Sequence, residues 1–560
     1  MHGGAATRTL ALMAMISVTA NSGLAAKLTD KEHTRIEDPR PADLPSDEAM
    51  EAEGAVIGNI EIDVRNIFDE SDPRERTGLF RLADRLHVRT RRSAIKAQLL
   101  FASGERYHAR KLAETERVLR LQHHVYDARV VPVRYANGEV DIRVITKDVW
   151  TLSPGISFGR AGGANATNFN LQDSNFLGLG KTVQISRSST VDRTSNSVAW
   201  VDPNMFGSRW ASALEYDHSS DGGLRKLEIV QPFYSLDAHW TAKLNGVKFD
   251  RTISRYNLGQ IVDQFHDDQS SYELSGGVST GLVDGWSKRL LFGMRYDRNL
   301  FMPAPRSTQP AKHLPADRTI SYPFVGFDIL QDKYQKAGDE NQIGRTEDLY
   351  FGTEITGEIG VSKGAFGANR DAYLLAASVL RGFEISTKQQ LFFLSTFSTR
   401  IEDGGHVRNL IADNGAKYYW KWRPDWLLYM AVSTTVTDSL DPELQLLLGG
   451  DNGLRGYPLR YESGTSRAFF NIEQRVYTDW YPFRLARVGA AVFCDVGRTW
   501  GRGVIGDSDP GLLRDVGVGL RFGNTRTGLG NVLHIDFAFP LTRTTGIQKF
   551  QFLVQTFQSF

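Results

Sequence analysis

A single cysteine stands in 560 residues, so neither an internal disulfide framework nor a cysteine-rich metal site can be built. Charge imbalance is missing too. A formal net charge of +1 excludes the strongly basic surface that follows nucleic-acid phosphates, and no nucleic-acid partner is expected. Beyond the first residues no run of about eighteen apolar residues occurs, so no membrane-crossing helix is expected. The motifs of common enzymes are also absent: no His-Glu-x-x-His, no phosphate-cradling glycine loop with lysine, no cysteine pair. One nucleophile-elbow match, Gly155-Ile156-Ser157-Phe158-Gly159, falls in a strand-like segment instead of a strand-to-helix turn and reads as accidental. His123-His124 makes a poor metal pair, since adjacent residues on a helix diverge and no third ligand is near. No enzyme activity, cofactor or metal is therefore expected, with a site built from scattered Ser, His and Asp residues as the alternative.

Glycine, with 53 residues, and aromatics, at 11%, are plentiful and suit many short strands and turns. The chain opens on Arg8, an apolar stretch over 10–20 and a small-x-small Gly23-Leu24-Ala25, the pattern of an export signal over residues 1–25. Residues 26–55, rich in charge and proline, read as a flexible lead-in.

Residues 56–148 form a small α+β domain. Ile60, Ile62 and Val64 alternate with polar residues, as a half-buried strand requires. Helical stretches are predicted over 93–101 and 109–121, separated by Gly104, with Ala109, Leu112 and Leu119 on one face of the second. Val131, Val133 and Tyr135, an Asn137-Gly138 turn, then Val140, Ile142 and Val144 spell a hairpin. The order is β-α-α-β-β. A basic cluster on the helices, including Arg89, Arg91, Arg92, Arg106, Arg110, Lys111, Arg117 and Arg120, suits an anionic lipid surface or an acidic partner. Glu105, Glu114 and Glu116 among them favour a solvated face.

From 149 to 560 the chain repeats segments of about ten residues with alternating apolarity, the pattern of an all-β transmembrane barrel. Leu533, Ile535, Phe537 and Phe539 face one way and His534, Asp536 and Ala538 the other, one side for lipid and one for a wet lumen. The same rule sends Val492 and Cys494 outward and Phe493, Asp495, Gly497, Glu473 and Arg475 inward. About sixteen to twenty segments qualify, because 321–333 and 407–423 read as either loop or strand.

Tyr126-Asp127 and Asp148-Val149-Trp150 around the hairpin make the first domain resemble a POTRA module. Within the barrel, Gly449-Gly450-Asp451-Asn452-Gly453-Leu454-Arg455-Gly456-Tyr457 and Val492-Phe493-Cys494-Asp495-Val496-Gly497-Arg498-Thr499-Trp500 resemble the BamA and TamA superfamily of outer-membrane assembly barrels. Asp173-Ser174-Asn175-Phe176-Leu177-Gly178-Leu179-Gly180-Lys181 resembles an early periplasmic turn of the same barrels. The resemblance implies about sixteen strands and a loop folded into the lumen, whose Arg455, Gly456 and Tyr457 meet a wall of Phe493, Asp495, Gly497 and Glu473. It also implies a weak seam between first and last strands, at Pro154 and Gly155 on one side and Phe550, Phe552 and Phe560 on the other. Proline removes a backbone donor there and glycine weakens pairing.

The implied function is insertion or translocation of unfolded or secreted client proteins in a Gram-negative outer membrane. The POTRA-like domain would sit in the periplasm, capturing clients along its edge strands at 56–64 or 130–135 and meeting any periplasmic or inner-membrane partner. The alternatives are a two-partner secretion pore, and a passive channel or lipid-handling barrel without a protein client.

Overall fold

The computed structural model describes residue 36 and residues 40–560, except 69–77, 79–80, 82–83, 86, 306, 308, 339–345, 479, 481, 483–485, 502–509, 525–530, 543–545 and 559–560. The expected export signal at 1–25 and Phe560 lie outside the described residues. The N-terminal domain consists of α1 (Asp47–Ala52), β1 (Val56–Arg65), α2 (Arg92–Lys96), α3 (Ala109–Arg120), β2 (Val125–Ala136) and β3 (Glu139–Asp148). Its sheet has the order β1-β3-β2, with β1 parallel and β2 antiparallel to β3. The apolar alternation of Val140, Ile142 and Val144 puts β3 in the middle, where all three are fully buried. Asn137 and Gly138 both take positive φ, 53° and 78°, which a two-residue turn between twisted strands demands.

The expected lead-in is partly wrong. Ser46 accepts from the Ala49 amide at 3.2 Å and caps α1, whose Met50 is wholly buried in the domain core. One apolar side chain in a charged segment leaves no period to read, yet its burial orders the segment.

The rest closes into an antiparallel barrel of twenty strands, from Leu152–Ala161 to Gln551–Gln558. This corrects the sixteen that the resemblance implied. The ambiguous pieces are strand, 407–423 within His406–Arg423 and 321–333 up to residue 331 within Arg318–Gln331, and alternation alone had allowed the larger number. The split between faces follows the sequence: Val518, Phe537 and Phe539 are exposed outward, while Asp495, Asp515, His534 and Asp536 are buried inward. Exposed Phe169, Ile185, Val198, Leu214 and Leu274 extend the apolar outer face around the barrel. Such a face suits hydrocarbon.

Two insertions enter the barrel. The hairpin Tyr334–Gly338 with Thr346–Tyr350 sends Leu349 and Phe351 onto the inward-facing Phe392, Tyr419, Leu427 and Tyr429. At the opposite end, the connection over 439–465, with its short ladder Leu446–Leu448 to Glu462–Gly464, folds into the lumen.

Candidate functional site

Arg455 sits at the tip of the lumen loop and grips Asp495 with two parallel bonds, Nε to Oδ2 at 2.7 Å and Nη2 to Oδ1 at 3.0 Å. A planar guanidinium matches a carboxylate this way and lysine does not. Its Nη1 also reaches Asp536 at 3.1 Å and Glu473 at 3.4 Å, and its Cζ lies over the Phe493 ring, 3.2 Å from the centroid. Because inward residues alternate along each strand, Ser466–Tyr477, Ala486–Trp500 and Asn531–Pro540 each contribute one acid to the same patch. Next along the loop, the Gly456 amide donates to Asp515 Oδ2 at 3.0 Å. A Cβ there would come within 2.7 Å of the Asp515 Cβ, which explains the glycine. Tyr457 donates from its hydroxyl to the Arg514 carbonyl at 2.8 Å, and Gly497 faces Leu448 of the loop. The structure thus gathers Arg455, Gly456, Tyr457, Phe493, Asp495, Gly497 and Glu473 at one place.

Sequence reasoning missed the other fastenings of this loop. Asp441 forms a two-bond pair with Arg400 at 3.0 and 2.8 Å and lies 3.2 Å from Arg318, which also pairs with Glu443. Arg460 holds Asp192 through two bonds of 2.7 Å, and Gln445 exchanges hydrogen bonds with the Tyr256 backbone at 2.8 and 2.6 Å. The loop therefore ties together strands from several sides of the barrel.

It also reaches both sides of the junction between first and last strands. Its Arg455, Gly456 and Tyr457 hold the last strands but one, while Gly450 abuts the turn after the first strand, where a Cβ on Gly450 would come within 2.7 Å of Gly162 Cα. That junction is otherwise thin. Among the described residues Leu152–Ala161 and Gln551–Gln558 are joined by one ladder pair, Val554 with Arg160, whereas the next shortest pairing in the barrel has seven pairs. Pro154 and Gly155 pair with Leu171 and Asn170 on the second strand, and among the described residues neither has a ladder partner on the last. Phe550 precedes the last strand and packs on Phe539, and Phe552 packs on Phe537, so both serve the outer face.

The two expected capture edges differ. Both β1 and β2 are edge strands, but β2 is already occupied: Glu116 accepts from the Val130 amide and Arg120 donates to the Ala128 carbonyl, each at 2.8 Å. Pro132, in phase with them, has no N–H to offer. β1 is covered at its start, where Ile57 bonds to Gly104 and Glu105; past Gly58 its outer side has no strand neighbour among the described residues.

The same α3 side chains bind the barrel. Arg120 forms a two-bond pair with Asp348 at 2.8 and 2.7 Å, Lys336 pairs with Glu116, Arg117 stacks on Tyr334 at 4.2 Å, and the Leu236 amide donates to Glu114 at 2.7 Å. Burial opposes the charge on Glu116, yet Arg120 and Lys336 hold its carboxyl below the ordinary range. The basic helix read as a solvated face is, over 110–120, a docking face. Behind it His124 packs against Gly180, and burial pushes its imidazole down to about 4 despite Asp148.

Comparison with known proteins adds the following. No family model matches the chain, and no curated protein matches it. Similar solved structures include BamA from Haemophilus ducreyi lacking POTRA domains 1–3, at 13% identity and TM-score 0.36, covering 89% of this chain and 85% of that one. They also include CdiB from Escherichia coli, at 13% identity and TM-score 0.45, covering 90% and 76%. CdiB from Acinetobacter baumannii follows at 11% and TM-score 0.41, covering 98% and 96%. The chain is similar to these barrels. At such identities and TM-scores the likeness says nothing about activity, which has to be argued from the site.

Proposed function

We propose that this chain is a Gram-negative outer-membrane barrel of the BamA and TamA type that inserts or translocates unfolded proteins. The observation that carries the reading is the seam, held among the described residues by one ladder pair where every other neighbouring pair of barrel strands shares seven or more. An open strand edge within a barrel is costly in lipid, because each unsatisfied backbone group costs several kcal/mol. Such an edge therefore favours an incoming strand that can pair with it. The lumen loop, fastened to both flanks, keeps the barrel closed while the seam is unpaired. Capture begins at the POTRA-like domain, where the outer side of β1 beyond Gly58 accepts a client strand. No covalent step, cofactor or metal is required.

Quantitative proteomics of outer membranes and culture supernatant from a depletion strain tests this. Loss of a few barrel or secreted proteins is expected, restored by the wild type and not by a chain lacking residues 56–147. Loss confined to the supernatant assigns export, and loss confined to the membrane assigns insertion. An unchanged inventory would contradict the reading and leave a passive channel or lipid-handling barrel.

A further inference from the structure

The basic cluster divides in the folded chain. Its α3 half is spent on Asp237, Asp332 and Asp348 of the barrel. The other half, Arg85, Arg89, Arg91, Arg92 and Lys96, is exposed, and none of the five has an acidic partner among the described residues. This stretch is not free to point anywhere. The Arg91 amide donates to the Gly178 carbonyl at 2.8 Å, and Asn175 donates to the Val88 carbonyl at 3.3 Å. Arg209 donates to the Ala97 carbonyl at 2.7 Å, and Gln98 bonds to Asn204. Residues 88–98 are thereby fixed along the turns 176–180 and 203–210, which join the second barrel strand to the third and the fourth to the fifth.

Among the described residues, nothing covers the apolar side chains of these turns and of the adjoining Val88. Phe206 is 99% exposed at the tip of its turn, and Leu177 and Val88 are each more than half exposed. Just above them, Phe176 packs on Trp200 and Trp210 on Trp240. Phe176 follows Phe169 and Leu171 on the exposed outer face of its strand. Aromatic pairs at the rim of an apolar belt mark the level of the lipid headgroups. An exposed apolar tip beyond them, beside a row of unpaired cations, matches a layer that is oily above and anionic below.

We propose that Arg85 and residues 87–96, together with the turns bearing Leu177 and Phe206, form a binding surface for anionic phospholipid headgroups of the periplasmic leaflet. The inference rests on the barrel lying in an outer membrane and not on its handling clients. Lipid bound there is held at the periplasmic rim of the second to fifth barrel strands.

The test uses the full chain in detergent, offered phosphatidylglycerol and phosphatidylcholine of equal acyl length, with retained lipids counted by native mass spectrometry. The wild type is expected to retain phosphatidylglycerol in preference. Each neutralised cation is expected to lower that preference up to about fivefold, so R89Q/R91Q/R92Q/K96Q abolishes it. The pair L177S/F206S is expected to lower retention of both lipids without changing the preference, and gel mobility before and after heating confirms that each variant's barrel is folded. A wild type with no preference, a charge variant that keeps it, or an acidic unfolded peptide displacing the lipid would overturn the proposal. A chain that never enters vesicles would overturn the membrane reading as well, whereas one that inserts without lipid preference overturns only this surface.

Discussion

At the scale of the residue, Arg455 is where charge and shape are most constrained. It faces Asp495, Asp536 and Glu473 together, and removing one partner of such a buried pair leaves the others uncompensated, at a cost of about 3–5 kcal/mol. Arg455→Ala and Asp495→Ala are therefore expected to lower the temperature at which the barrel loses its compact gel mobility, and to impair complementation. Arg498→Ala, on the same strand as Asp495, is expected to do far less; equal losses for all three would refute the special role of the loop contact. Arg455 was legible because its glycine-rich tip and the alternation around Asp495 are local signals. Asp441, Glu443, Arg460 and Asp192 were not, because the path of a loop across a lumen has no period, and Arg460 lies 268 residues from its partner.

At the scale of the element, α3 shows how a correct helix can carry a wrong environment. Its apolar face was readable from Ala109, Leu112 and Leu119, and its ends fell where expected. Glu114, Glu116, Arg117 and Arg120 looked like ordinary charges on a wet face, since pairs four apart favour that reading. Their real partners, Asp348, Lys336 and the Leu236 amide, come from distant connections that only the folded barrel brings near. Glu116 and Arg120 serve both the β2 edge and the barrel hairpin, so the two contacts are coupled. Substituting Lys336→Gln with Asp348→Asn is expected to raise amide hydrogen exchange at 128–132 severalfold while leaving 140–144 in the centre of the sheet unchanged. Unchanged exchange at 128–132 would mean that the edge is blocked independently of docking.

At the scale of the whole molecule, the division into an α+β domain and an antiparallel barrel was visible in the change of pattern near Trp150, and the two faces of the barrel in the alternation. The number of strands was not. A strand such as Gln260–Val283, 24 residues long, carries its alternation well past the length needed to cross a membrane, so segment counting has no natural unit. A weak seam between first and last strands was implied by the family resemblance and by Pro154 and Gly155, but its extent, a single ladder pair among the described residues, was not. That pair is also the point at which the account is most exposed. With Cys494 replaced by serine, Arg160→Cys and Val554→Cys place a disulfide across the seam. Client assembly or export is expected to stop in the oxidised barrel and to return on reduction, with neither single variant affected. A locked barrel that handles its clients as well as the wild type would contradict the claim that the seam opens.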